Sequence, residues 1–383
     1  MRPWMPLVGV AALAAVAAAA VGGDRLLSSG HGSGPSGTVL EASIGRCGRG
    51  WSGPHAGPQT LLVRNSGSAI AEVMLVDRSG AVHGEIEGLG PGVTRPMRVT
   101  LGAGEYALRC SDDSSGDPRT GPLVRIAGGG PGGPAVRAVD GNELAGAVTS
   151  YWTKVTAGVG RLAGLTGTLR SAVASGDVGE ARRAWLPAHL AYERLGAAYG
   201  TFGDFDDKIN GRPDGLPGGV HDPDWTGFHR LEYGLWHGEG ASSLGRVADR
   251  LDKDVRDLQA DLPRQRIDPA DLPLRAHEIL EGTLRFELTG ASDEGSGTSL
   301  QTAAANVEGT RLVLDALRPV LRDRYPALPQ VDAWLDRLDA QLKGRSSLSD
   351  LSPPDRRRLN GTTGQALELL APIAEIAAPR RTS

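Results

Sequence analysis

Gly128-Gly-Gly-Pro-Gly-Gly-Pro134 cuts this 383-residue chain into two stretches of different texture. Glycine gives up too much backbone entropy and proline withholds a donor, so no helix or sheet ladder is expected to run through such a segment. Residues 128–137 are therefore read as a linker between domains. From Thr38 to Ala127, short runs such as Gln59–Arg64, Ala71–Val76, Thr94–Val99, Glu105–Arg109 and Pro122–Ile126 alternate with clusters of Gly, Pro, Asn, Asp and Ser. Regular short strands with turn punctuation predict a small β-sandwich over residues 38–127. Residues 138–383 instead carry apolar side chains three and four apart through Leu144–Val173, Val178–Tyr199, Leu244–Leu262, Leu274–Leu288, Leu300–Leu321, Val331–Leu342 and Leu359–Ile376. These segments, with a shorter one around His229, predict an all-α helical bundle. The expected fold class is multidomain, an N-terminal β-sandwich followed by a helical bundle.

An apolar content of 40% and a charged content of 22% suffice for two cores. Lys+Arg number 41 against Asp+Glu 45, with no basic run, so nucleic acid is not an expected partner. Arg2 precedes an uncharged stretch, Pro3–Gly23, with an apolar centre at Leu7–Val21. Residues 1–23 read as a secretory signal peptide or an uncleaved N-terminal anchor, and residues 24–37 as a flexible tether. At ~1.5 Å rise per residue the apolar centre falls short of a ~30 Å hydrocarbon core, which favours export over a membrane span. The protein is expected in the periplasm or cell envelope, soluble or tethered. Cys47 and Cys110 suit an oxidising compartment and a disulfide within the first domain. The alternative is thiolate ligation of copper, with Glu72 and Met97 as further donors. A blue-copper site needs two imidazoles beside the thiolate, and no His lies near Cys110 downstream.

The chemistry concentrates in the second half. In Gly227-Phe-His229-Arg-Leu-Glu232-Tyr-Gly-Leu-Trp236, an imidazole and a carboxylate stand at i and i+3, on one face of a helix. Such a Glu/His pair, with an inward carboxylate from a neighbouring helix, is how metal sites are built inside bundles. Glu193, on the preceding long segment, is the candidate third ligand, and His189 lies four residues before it. The intervening stretch Gly200–Asp224 is rich in Gly, Asp and Pro and supplies Asp206 and Asn210, although no EF-hand spacing is present. His277-Glu278-Ile-Leu-Glu281 starts like a zincin helix but has Glu281 where the second imidazole belongs, so Glu278 is a candidate oxygen donor rather than part of a zinc protease motif. No nucleophile elbow, P-loop or dinucleotide fingerprint occurs.

With these blocks in view, and with Tyr192-Glu193-Arg194, Phe202-Gly-Asp-Phe-Asp206, Ile209-Asn-Gly-Arg212 and Asn306-Val-Glu-Gly309 beside them, the chain resembles the EfeO family. These are extracytoplasmic components of bacterial iron-uptake systems, with a cupredoxin-like N-terminal domain and an imelysin-like C-terminal domain. The family's Gly-x-His-x-x-Glu signature is met by Gly227, His229 and Glu232. The resemblance implies a non-enzymatic protein that holds iron, ferrous or ferric, on His229, Glu232 and Glu193. It also implies a membrane iron permease and a heme peroxidase as partners. Many relatives carry Glu at the position of Gly196 and Asp at that of Asn210; Asp206 or Glu278 would then complete the set. The alternatives are a metal-dependent peptidase of imelysin type and an envelope polysaccharide-binding module with a structural metal.

Overall fold

The structure, a computed structural model, describes residues 39–112 and 115–380, so the expected signal segment 1–23 and tether 24–37 lie outside the described residues. Nine strands come first: β1 (Val39–Ala42), β2 (Gly57–Asn65), β3 (Ala71–Asp77), β4 (Ala81–Leu89), β5 (Thr94–Leu101), β6 (Gly104–Asp112), β7 (Ser115–Thr120), β8 (Val124–Ile126) and β9 (Val136–Arg137). They form two sheets. One has the order β1-β2-β5, with β1 parallel and β5 antiparallel to β2; the other has the order β7-β6-β3-β4-β9, with β8 also on β6. The alternation in β5 sends Met97, Val99 and Leu101 into a core shared with Val73 and Leu75 of β3 and Leu108 of β6.

Cys47 and Cys110 are joined in a disulfide within this core, Cα to Cα 5.8 Å. Both thiols are consumed, which removes the thiolate copper site as an option. The other two candidate donors do not converge either. Met97 packs in the core, whereas Glu72 is in register with Ser111 while Val73 faces Cys110, so Glu72 stands on the opposite face of its sheet from the cysteine.

Two departures from the expected pattern have the same cause. β4 escapes a period-two reading because its pairing with β3 shifts register twice, and because Gly84 occupies a place where a Cβ would meet Val99 Cγ1 at 2.8 Å. The Gly/Pro segment is packed rather than free: Gly133 N donates to Thr100 O at 2.7 Å, and a Cβ on Gly102 would lie 2.7 Å from Gly132 N. At its end, Val136 pairs with Val82 in β9. In both places the missing side chain admits a close contact, with side chains of β5 at Gly84 and with backbone at Gly102, that composition alone reads as looseness.

The helices are α1 (Gly141–Ala174), α2 (Val178–Glu193), α3 (Tyr199–Phe202), α4 (Asp204–Asn210), α5 (Gly227–Trp236), α6 (Ala241–Asp261), α7 (Asp271–Gly282), α8 (Ser299–Leu321), α9 (Leu328–Leu342) and α10 (Pro353–Ile376). Asp140 starts α1 with a capping box: its carboxylate accepts from Glu143 N at 2.8 Å while Glu143 accepts from Asp140 N at 3.2 Å. α1 packs on α2, α6 and α8, and α10 packs on α7 and α9. The Gly-, Asp- and Pro-rich stretch Gly200–Asp224 holds α4 and most of α3, which turn at Gly203 with φ +57. Two arginines tie the bundle to the strands. Arg380, buried, forks onto Glu85 at 2.7 and 2.8 Å, and Arg324 donates to the Arg137 and Ala138 carbonyls and to Glu143. Among the described residues no helix is long and apolar enough to cross a membrane.

The disulfide closes a sequence separation of 63 residues. Replacing Cys47 and Cys110 together by Ala is expected to destabilise the strand region by ~2–5 kcal/mol, read as an earlier urea transition; an unchanged transition would contradict this.

Candidate metal centre

The site forms where α2 ends. Glu193 is the last residue of α2, and after it the chain leaves the helix through a 3-10 turn at Gly196–Ala198. The Glu193 carboxylate is nonetheless buried, at 6% exposure. Asn210 Nδ2, from the end of α4, donates to Oε1 at 2.8 Å, and His189 Nε2, one turn back, approaches the same oxygen at 3.1 Å. In the orientation that satisfies its amide, Asn306 of α8 donates to Oε2 at 3.0 Å. Burial alone would raise the Glu193 pKa, but His189, the His229 charge and the Asn210 bond together hold it below the ordinary carboxylate value.

α5 brings His229 to this point. Its first residue, Gly227, has φ +90, and a Cβ there would lie 2.4 Å from Ile209 O and 2.9 Å from Lys208 O. Only glycine lets the start of α5 lie on the backbone of α4. Trp185 Nε1 donates to Phe228 O at 3.1 Å and Arg182 donates to Leu235 O at 2.7 Å, holding α5 along α2. The rings of His189 and His229 meet edge to face at 5.4 Å, and His189 stacks on Trp185 at 4.7 Å. Nδ1 of His189 and Nδ1 of His229 are buried without a hydrogen-bond partner. His229 Nδ1 is 3.4 Å from Glu232 Oε2, outside hydrogen-bond geometry.

A cavity of about 370 Å³ opens beside these groups, and its walls include Glu193, Asp206, Asn210, His229 and Glu278. The structure thus gathers five of the six residues singled out in this half of the sequence. Glu232 is the sixth and lies behind the wall. Its Oε1 accepts from Glu294 N at 3.2 Å and Ser296 N at 3.1 Å, which anchors the loop before α8. Three of the five already have a protein partner. Asn210 donates its amide nitrogen to Glu193 and leaves a buried Oδ1 without a hydrogen-bond partner. Glu278 is ion-paired with Arg275 of its own helix. Asp206 accepts from Tyr192 Oη at 2.5 Å, and burial pushes its carboxyl up to about 6.

Glu287 is the residue that sequence reasoning missed. After α7 the chain widens into a π-helical turn, Thr283–Glu287, which carries Phe286 and Glu287 to the cavity wall. Burial, reinforced by the Glu193 charge, pushes the Glu287 carboxyl up to about 8. A periodicity of three and four continues through this turn, so nothing in the pattern marks the register change. Among the described residues no three His, Cys, Asp or Glu side chains converge on one point that holds a metal ion. The arrangement offers a buried anionic carboxylate with the His189 imidazole against it and an unpartnered His229 Nδ1, with the Glu287 carboxyl, pushed up to about 8, nearby. These are nitrogen and oxygen donors of the kind suited to iron.

Two predictions follow from this geometry. Gly227→Ala combines a positive φ with a backbone collision, so it is expected to lower stability by ~2–4 kcal/mol in urea unfolding; a neutral effect would refute the close approach. Glu287 keeps its proton up to about pH 8 when folded but only to its ordinary value of 4.5 when unfolded. Across that window the folded state binds the extra proton, so metal-free stability falls as pH rises. Glu287→Gln is expected to flatten that fall in thermal unfolding measured from acid to alkaline pH; an unaltered slope would contradict the assignment.

Known proteins carry related sequences. The profile of the imelysin family matches residues 147–374. The chain is 29% identical over 326 residues to the "Iron uptake system component EfeO" of Escherichia coli O157:H7, covering 83% of this chain and 85% of that protein. It is 28% identical over the same length and shares to the proteins of that name in Escherichia coli K12 and Shigella flexneri. With the profile spanning more than half of its length, the helical half built around Glu193 and His229 is an imelysin domain, and the chain belongs to the imelysin family.

Proposed function

We propose that this protein is the iron-binding component of an uptake system outside the cytoplasm, taking iron into the bundle cavity and passing it to a membrane iron permease. A heme peroxidase of the same system is a further partner in this reading. Residues 38–127 are taken as a cupredoxin-like domain that serves capture or docking, and residues 138–383 as the domain that holds the metal. The observation that carries the proposal is the open donor set: the buried Nδ1 of His229, Nδ1 of His189 and Oδ1 of Asn210 beside the buried, ionised Glu193. Buried polar groups are ordinarily satisfied, so a cluster left open at a cavity wall is consistent with a site that a cation completes.

Further support comes from the relatives, which are named as uptake components and not as enzymes. The disulfide suits an oxidising compartment outside the cytoplasm. In this reading Glu193 and His229 bind iron directly, while Asn210 and Asn306 orient Glu193 and Glu232 sits behind His229.

Anaerobic titration of the full chain with ferrous iron, and aerobic titration with a ferric chelate, test the proposal. His229→Ala and Glu193→Gln are each expected to weaken iron binding at least roughly a hundredfold. Asn210→Ala, which removes the Nδ2 bond to Glu193 and the buried Oδ1, should cost roughly tenfold to a hundredfold. Stoichiometric binding retained by the His229→Ala/Glu193→Gln double variant would sink the assignment. Tight zinc binding with poor iron binding would turn attention to metal-dependent hydrolysis.

A further inference from the structure

The cavity wall carries one charged group that iron binding alone leaves unused. Arg212, just beyond α4, lays its guanidinium carbon 3.7 Å over the centre of the Phe286 ring. It lines both the cavity and the larger outer groove that adjoins it, so it stands where the two meet. Its Nη1 is buried with no hydrogen-bond partner, and among the described residues it forms no ion pair. The neighbouring cation, Arg275, is already engaged with Glu278. Ser292, 4% exposed, lines the same cavity and leaves a buried Oγ without a partner.

A guanidinium stays charged at any ordinary pH, and burying its edge unpaired is costly. Two donors, one of them charged, therefore face a cavity and require acceptor oxygens. A bare metal cation supplies none, and Arg212 repels it. The side chains of the cavity also leave coordination positions open, since no three anionic or imidazole groups among the described residues converge on a point. One ligand answers both needs: a small oxyanion bound together with the metal.

The geometry points to a carbonate or carboxylate group as co-ligand, its oxygens shared between the iron and the guanidinium of Arg212, with Ser292 as a second donor. This rests on the iron-binding reading above. It makes the cargo an iron–oxyanion pair, and Arg212 the residue that reads the anion. Arg suits the task because its planar fork matches a carboxylate or carbonate edge in a bidentate fashion, and the Phe286 face holds that plane in place.

The test is anaerobic titration of the full chain with ferrous iron in carbonate-free buffer, repeated with millimolar bicarbonate and with millimolar malonate. Iron is expected to bind at least about tenfold tighter with an effective anion, the value of one charge-assisted hydrogen bond. A gain with bicarbonate alone identifies dissolved carbonate as the source. A gain with malonate alone identifies a carboxylate that arrives with the metal as its chelate. Arg212→Gln should bind iron without anion at least as tightly as the wild type and lose the gain, and Arg212→Lys, which keeps charge without the fork, should retain part of it. A wild-type affinity that neither anion changes, or a gain that survives in Arg212→Gln, overturns the inference while leaving iron binding intact. Absence of iron binding in every buffer overturns the iron-binding reading as well.

Discussion

A carboxylate at 6% exposure inside a helical bundle has to be matched from several directions at once, and the arrangement of this domain around Glu193 follows from that demand. Asn210 comes from α4, Asn306 from α8 and His189 from the preceding turn of α2 itself. Asn210 and His189 meet Oε1 and Asn306 meets Oε2, while His189, His229 and the Asn210 bond keep the carboxylate ionised against burial. Removing any one would leave a charge short of a partner where water does not reach it. After α2 the turn at Gly196–Ala198 follows the cavity, and Gly196 and Tyr199 continue its wall beside the carboxylate.

Around that anchor, close backbone approach does most of the positioning. Gly227 lets α5 begin against the carbonyls of Lys208 and Ile209, which fixes the height of His229 relative to α2. At Gly196 a Cβ would meet Ile279 Cγ1 at 3.1 Å, so a side chain here needs Ile279 to give way. The π-helical turn at Thr283–Glu287 shifts the register of the chain after α7 and brings Phe286 and Glu287 to face the site. Glu232, although part of the most conspicuous sequence block, serves this geometry from behind by fixing the 294–296 loop through two backbone N–H groups. Within one short helix, His229 faces the cavity and Glu232 faces the scaffold.

What could be read beforehand divides along physical lines. The long helices were legible because burial of one face leaves a period of three to four, and α1, α8 and α10 lie where Leu144–Val173, Leu300–Leu321 and Leu359–Ile376 indicated. β4 and β9 were not, since register shifts and close glycine contacts leave no alternation to detect. In the site, His229 and Glu193 were legible from spacing on helices. Glu287 was hidden because a π-helical turn changes which face a residue occupies without altering composition. Arg212 and Asn306 were visible only as members of familiar blocks, and their partners lie 74 and 113 residues away along the chain: Arg212 lies over Phe286, and Asn306 reaches Glu193. The separation between ligand and support is therefore a property of the packed bundle, which spacing in the chain does not encode.

The account stands on iron entering the cavity between Glu193 and His229. An anomalous difference map at the iron absorption edge, from crystals of the full chain soaked with iron, tests this most directly. The account predicts one strong peak within coordination distance of the Glu193 carboxylate and the His229 ring. A peak confined to the strand region, or none in the cavity despite stoichiometric iron in the crystal, would contradict it.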